Sequence, residues 1–219
     1  VIAITFALPA ESSDLLRSVG KDEIATLHTG VGGKAAAAKI DKFLSVERPK
    51  LLISSGFAGG LHDQLQVGDL IFAENYSDRR LLDRAAELLA NHGTQRAKLF
   101  SASAIADSAE DRTALREKHN ADAVDMETEV IAAACIARGI PMLSLRAITD
   151  TPRQPLPVPP EVLFDLERQR TSFVRLAGYC ISHPAAIRRL MRFSNNVALA
   201  RAELASALRT LLREQRLLY

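Results

Sequence analysis

"AVDMETEVIAAACIARGIPMLSLRAITD", residues 123–150, is the stretch that decides the fold. Its front end crowds Asp125, Glu127 and Glu129 together. An Ala-rich segment follows and stops at Gly139, which reads as a helix with a glycine end. "PMLSLRAI" then reads as a buried strand, and it delivers another acid, Asp150. A strand, a helix and a strand with carboxylates at both ends predict an α/β sheet whose strand ends carry the chemistry, because open α/β sheets bind ligands outside the carboxyl ends of their strands.

The same alternation continues outward. "VIAITFAL", "EIATLHT", "KLLISS", "VGDLIFAE", "KLFSAS" and "ADAVDM" read as strands. "GGKAAAAKIDKFLSVE" and "DRRLLDRAAELLANHG" read as helices. The pattern predicts an α/β domain around a parallel or mixed sheet, over residues 1–154. "TPRQPLPVPP", residues 151–160, has five prolines and must be extended. Residues 155–219 are expected to form a Pro-rich linker and two helices, about 161–181 and 184–214, packed on or extending the same domain, with Pro184 in a first helical turn.

The chain has 219 residues, 47% hydrophobic and 25% charged, enough to bury a core without staples. Two cysteines, Cys135 and Cys180, lie in apolar surroundings, so a reducing cytoplasm is the expected location. "VIAITFAL" reads as a first strand rather than a signal peptide. Net charge is +2, so no nucleic-acid partner is expected, but the charge is uneven: residues 168–219 hold ten Arg against Glu203 and Glu214. In the tail, Ile187, Leu190, Met191, Val197, Leu204, Leu208, Leu211 and Leu212 recur at three- and four-residue spacing among Arg188, Arg189, Arg192, Arg201, Arg209, Arg213 and Arg216. Packing of that face on the domain is the first expectation, and peripheral contact with the inner face of an anionic membrane the second.

Four strand ends carry candidate site residues: Glu11 after the first, "SSGFAGG" with Phe57 and Gly59 after the third, Asp125, Met126 and Glu127 in "DMETE", and Asp150. "TGVGG" supplies Gly30, Gly32 and Gly33 before a helix N-terminus, a natural place for an anion or hydroxyl. It is not a P-loop, and no dinucleotide fingerprint is present. No metal-ligand spacing stands out among the five His. Taken alone, Asp125 and Glu127 also read as helix N-terminal acids favoured by the dipole, and Asp150 as a turn or cap residue.

The segments "FALPAES", "TGVGGKAAAA", "SSGFAGGL", "VGDLI", "AVDMETE" and "RAITD" together resemble the purine nucleoside phosphorylase / methylthioadenosine–adenosylhomocysteine nucleosidase superfamily in order and spacing, over about residues 1–150. The resemblance implies a three-layer α/β/α fold with a mixed central sheet and cleavage of the bond between a purine and ribose. It implies Asp150 as the acid that protonates the leaving base, Glu127 as the acceptor of the ribose hydroxyls, Met126 against the ribose, Glu11 as the activator of water, and the segment holding Ala104 and Ile105 at the base. Desolvation is expected to keep a proton on Asp150. Hydrolysis and phosphorolysis both stay open: Gly30, Gly32 and Gly33 are the candidate phosphate or nucleophile loop. No cofactor is expected, with inorganic phosphate as the co-substrate if phosphorolysis holds.

The sequence also departs from that pattern. Phe57 replaces a small polar residue, Ile105 an aromatic and Ser103 an Asp. Between Glu74 and Asp78 the family has a longer segment, so either the pocket lacks a wall or this chain lacks a piece. With the Pro-rich stretch and basic tail, these features resemble phosphorylase-like proteins associated with hopanoid biosynthesis, which implies a 5′-substituted adenosine with a lipid substituent. The alternative is a nucleoside-binding module without turnover. The resemblance further implies a homodimer or higher oligomer, with the faces of "AAAAKI" and of the apolar run after Glu129 as interface candidates.

Overall fold

A computed structural model describes residues 2–20, 24–169, 171 and 173–214. Eight strands form one mixed sheet: β1 (Ile2–Phe6), β2 (Ile24–His28), β3 (Leu51–Gly60), β4 (Leu70–Ala73), β5 (Gln95–Ala97), β6 (Leu99–Ser101), β7 (Ala123–Asp125) and β8 (Met142–Asp150). The path runs β2-β1-β3-β8-β4-β5, with β6 paired to β7 and β7 to β3. β2, β1, β3 and β8 are mutually parallel, while β4 runs antiparallel to β8.

The period-two pattern of the strands explains the layers. Ile2, Ile4, Leu51 and Ile53 point to one face, where they meet α1 (Pro9–Leu16), α3 (Arg79–Leu88) and the second half of α8 (Ala185–Arg213). Ala3 and Leu52 point to the other, against α2 (Gly33–Glu47) and α5 (Thr128–Ile136). The expected three-layer α/β/α arrangement with a mixed sheet is therefore found. Leu204, Leu208 and Leu211 of α8 are fully buried in the first layer, so the apolar face of the tail packs on the domain over that half; Arg216 lies outside the described residues.

Several expectations change. Ala36 and Ile40 of "AAAAKI" and Ile131 and Cys135 of α5 are buried against each other and the sheet, so those faces are spent inside the protomer. The helix expected at 161–181 is broken into α6 (Pro160–Leu163) and α7 (Phe173–Ser182), because Phe164 is extended and Gln169 adopts a left-handed backbone, φ 52°. α4 (Ala109–His119) was not marked by apolar periodicity, since Arg112 is its one buried residue. The short 74–78 connection closes tightly: the Asn75 amide bonds both the N–H and the C=O of Leu99, and Asp78 caps α3 by accepting from the N–H groups of Arg80 and Leu81.

β3 positions the site. It runs on through "GFAGG" rather than ending before it, and its register shifts between Ala58 and Gly59. Past that irregularity Gly59 pairs both with Val124 of β7 and with Asp150 of β8. One strand end thus gathers the ends of two others.

Candidate active site

The first acid comes from the β1–α1 turn. Glu11 lies in the first turn of α1, and its Oε2 accepts from the N–H groups of Ala7 (2.7 Å) and Leu8 (3.2 Å). Burial pushes its carboxyl up to about 7, against the opposing pull of those N–H groups and of the Arg146 charge. Gly56 allows this approach: a Cβ there would sit 3.0 Å from Glu11 Oε2, on a backbone with φ 153°.

The second acid, Glu127, is the residue before the first turn of α5. Its Oε1 accepts from the N–H of Gly32 at 2.5 Å. Burial, then the neighbouring Asp125 charge, pushes it up to about 8. Two carboxyls with such shifts beside one cavity are the pattern of a functional site.

Asp150 ends β8. Its Oδ2 accepts from Arg112 Nη2, and Oδ1 from the Thr149 hydroxyl at 2.7 Å. Arg112 also donates from Nη1 to the Gly60 carbonyl at 2.8 Å. Asp150 is therefore not the lone desolvated acid expected from sequence; a guanidinium sits against it. Gly59 makes room for the pair, since a Cβ there would lie 3.0 Å from Asp150 Oδ2 and 3.1 Å from Arg112 Nη1.

Glu11, Phe57, Gly59, Ala104, Ile105, Asp125, Met126, Glu127 and Asp150 all line one cavity of about 200 Å³, together with Arg112 and Leu156. Phe57 is half-buried and also packs on the core. Asp125 reaches the cavity, but its carboxylate is committed: Ser101 Oγ donates to it at 2.5 Å, Arg146 Nε and Nη2 at 3.1 and 3.0 Å, and the Thr128 hydroxyl and N–H as well. It holds β6, β7, β8 and α5 in register.

The glycine loop differs from its expected use. The N–H of Gly30 goes to the Ala7 carbonyl, that of Val31 to Gln169 Oε1 at 2.6 Å, and that of Gly32 to Glu127. These donors are spent within the chain, so they do not form an open anion cradle; Gly32 and Gly33 instead line a neighbouring cavity of about 710 Å³ that shares Val31 and Met126 with the first. Between the two shifted glutamates lies a void of about 10 Å³, lined by Thr5, Ser55, Glu11, Glu127 and Arg146. The Thr5 and Ser55 hydroxyls are buried and have no hydrogen-bond partner.

Sequence reasoning missed three residues. Arg146 had a signal, a lone charge in the apolar run "PMLSLRAI". Arg112 had none, because α4 carries no apolar stripe and packs on the core only through Leu115. Gln169, which clips the 155–169 segment to Val31, lies in an irregular stretch where no periodicity speaks. Among the described residues no group of three His, Cys, Asp or Glu is placed to hold a metal.

A family model described as the phosphorylase superfamily matches residues 15–96 and 72–182. A 5′-methylthioadenosine/S-adenosylhomocysteine nucleosidase of Haemophilus influenzae (strain 86-028NP) is 30% identical over 160 residues, covering 60% of this chain and 69% of its own. The same-named protein of strain PittEE is 28% identical over 159 residues, with the same coverage. Among solved structures, futalosine hydrolase of Helicobacter pylori strain 26695 superposes with TM-score 0.71 at 16% identity, over 97% of both chains. A methylthioadenosine/adenosylhomocysteine nucleosidase from Neisseria meningitidis, complexed with methylthio-immucillin-A, gives TM-score 0.71 at 16% identity over 97% of this chain and 98% of that one. These structures share the fold.

Proposed function

The chain belongs to the phosphorylase superfamily, and on that premise we propose that it hydrolyses the N-glycosidic bond of a purine nucleoside, a 5′-substituted adenosine. The observation that carries the reading is the convergence of Glu11, Glu127 and Asp150 on one cavity, from three separate strand ends. The nucleosidase names of the relatives support the same bond as the target.

Chemically, the C1′–N9 bond breaks and its electrons enter the purine, while positive charge develops on the ribose. The Asp150 carboxylate, paired with Arg112 and held by Thr149, faces the departing base; it takes up a proton from solvent and hands it to N7 as the bond breaks. Donation of this kind is worth about 10²–10⁴-fold in rate. Glu127 accepts from the ribose hydroxyls. Water attacks C1′ from the opposite side and loses its proton to Glu11, whose raised value suits a base working near neutrality.

Water rather than phosphate is supported by charge. The nucleophile side carries Glu11 and Glu127; Arg146 and Arg112 are already paired with Asp125 and Asp150; and the N–H groups of Gly30, Val31 and Gly32 are spent. The two arginines nearest the glutamates are therefore engaged, whereas the void by Thr5 and Ser55 has room for one water. The 710 Å³ cavity beyond Met126 supplies space for a 5′ substituent.

The test is a panel of purine nucleosides, with and without inorganic phosphate, followed by detection of free base and sugar. Hydrolysis gives a free reducing sugar at a rate indifferent to phosphate. A phosphate-dependent rate with a sugar 1-phosphate product would sink the hydrolytic part. Adenine binding without base release from any nucleoside would assign a binding module instead.

A further inference from the structure

The helices that follow the Pro-rich stretch present a surface that the catalytic reading does not use. On α7, Phe173, Val174, Ala177, Gly178 and Ile181 lie along one side and all are exposed. Phe173 is 77% exposed, Val174 85% and Ile181 82%, although α7 is otherwise a well-formed ten-residue helix. No residue of α7 is buried, and the first half of α8 buries only Ala186 before Ala200. Ile187 (51%) and Met191 (65%) are exposed on the first half of α8. The two helices turn sharply at His183, whose N–H bonds the Tyr179 carbonyl and whose ring stacks on the Tyr179 ring at 4.3 Å.

Charge says what this surface fits. Arg188, Arg189 and Arg192 are exposed beside Ile187 and Met191, and from Arg168 to Ala202 the sequence has no Asp or Glu. A symmetric contact with a second copy would bring the same arginines against themselves, which costs energy unless other groups intervene. An apolar side edged by arginines, on a run of sequence without acids, matches an anionic bilayer surface, where the apolar side chains enter the headgroup region and each Arg gains attraction to lipid phosphates.

We propose that the α7–α8 hairpin is a peripheral docking surface for an anionic phospholipid bilayer. No helix among the described residues is long and apolar enough to cross a membrane, so the contact is a surface one. The surface adjoins the cleft: Arg175 of α7, paired with Asp165, lines a cavity with Glu161, Glu167, Ala104 and Ile105, the last two of which also line the catalytic one. The inference stands apart from the proposed catalysis, since it uses none of the catalytic residues.

The experiment is sedimentation of the full chain with phosphatidylcholine vesicles, with and without an equal share of phosphatidylglycerol, at low and physiological ionic strength. Binding is expected only to the anionic vesicles and weaker at higher salt. Replacing Arg188, Arg189 and Arg192 by Gln should lower partitioning by on the order of a hundredfold. Val174→Ser with Ile181→Ser should also lower it, with an unchanged unfolding midpoint because both side chains are exposed. The sequence has no Trp, so Ile181→Trp gives a single probe whose emission should shift to the blue when anionic vesicles are added. No sedimentation of the wild type with anionic vesicles at low salt would overturn the proposal. So would a wild-type dimer that the two serine substitutions dissociate, which would assign the surface to a second copy.

Discussion

The guanidinium of Arg112 lies against the carboxylate of Asp150, and both are buried, Arg112 at 1% exposure and Asp150 at 7%. The pair joins α4 to the end of β8 across Gly59 and Gly60. Neither ion has solvent to fall back on. Arg112→Met should therefore destabilise the protein by about 3–5 kcal/mol, because Asp150 is left uncompensated. Asp150→Asn should also destabilise it, and the double variant should recover much of the loss. Urea unfolding of the four proteins reads this directly. Additive effects would mean that the pair contributes no coupling.

Activity should separate from stability at the same residue. The Asp150→Asn amide keeps the shape but has no proton to give. Base release should fall by about 10²–10⁴-fold while nucleoside affinity changes little. Single-turnover rates and equilibrium binding on the folded variant are the measurement. An unchanged rate on adenine nucleosides would remove Asp150 from the reaction.

The shifted pair Glu11 and Glu127 predicts an unusual pH dependence. Both folded values, about 7 and about 8, lie above the ordinary 4.5. The folded state therefore holds these protons more tightly than the unfolded chain does. Their contribution is fully present below about 4.5 and is lost as pH rises through 7 and 8. Glu127→Gln keeps an oxygen for the Gly32 N–H and needs no ionisation, so its unfolding free energy should fall less steeply over this range and match or exceed the wild type at its upper end. The two groups titrate as a pair, so the apparent values belong to both. For catalysis the sign is opposite: Glu11 must be ionised to take a proton from water, so kcat/KM should rise with pH through about 7, and Glu11→Gln should remove that limb with most of the rate.

How far the sequence could be read follows from what each residue touches. Strands such as "IAITF" and "LLISS" are legible because both their faces are buried, and the stop at Gly139 marks the end of the α5 segment. Glu11, Glu127 and Asp150 were legible as strand-end acids, since topology alone carries such positions to one side of the sheet. What they are bonded to was not. Arg112 reaches Asp150 across 38 positions, and Gln169 reaches Val31 across 138, through contacts that leave no periodic trace. Burial of the Arg112 stem on a helix without an apolar stripe is decided by the partner, not by the helix.

Gln169 offers the last prediction. Its side chain clips the 155–169 segment over the cleft: Oε1 accepts from the Val31 N–H at 2.6 Å, and Nε2 donates to the carbonyls of Val31 at 2.9 Å and Leu166 at 2.7 Å. Leu156 and Leu166 of the same segment form walls of the two main cavities. Because the residue sits at φ 52°, an alanine there would mix loss of the side chain with backbone strain, whereas Gln169→Gly removes the clip and suits the backbone. Two hydrogen bonds to Val31 are lost at about 1 kcal/mol each, so the segment should open more often by roughly 30-fold. Asp150, Glu127 and Glu11 keep their partners, so kcat should change little while KM for 5′-substituted nucleosides rises about tenfold, and the Val31 amide should exchange with solvent faster. A fall in kcat at constant KM, with exchange at Val31 unchanged, would show that the segment is held by its other contacts and that the clip does not govern access.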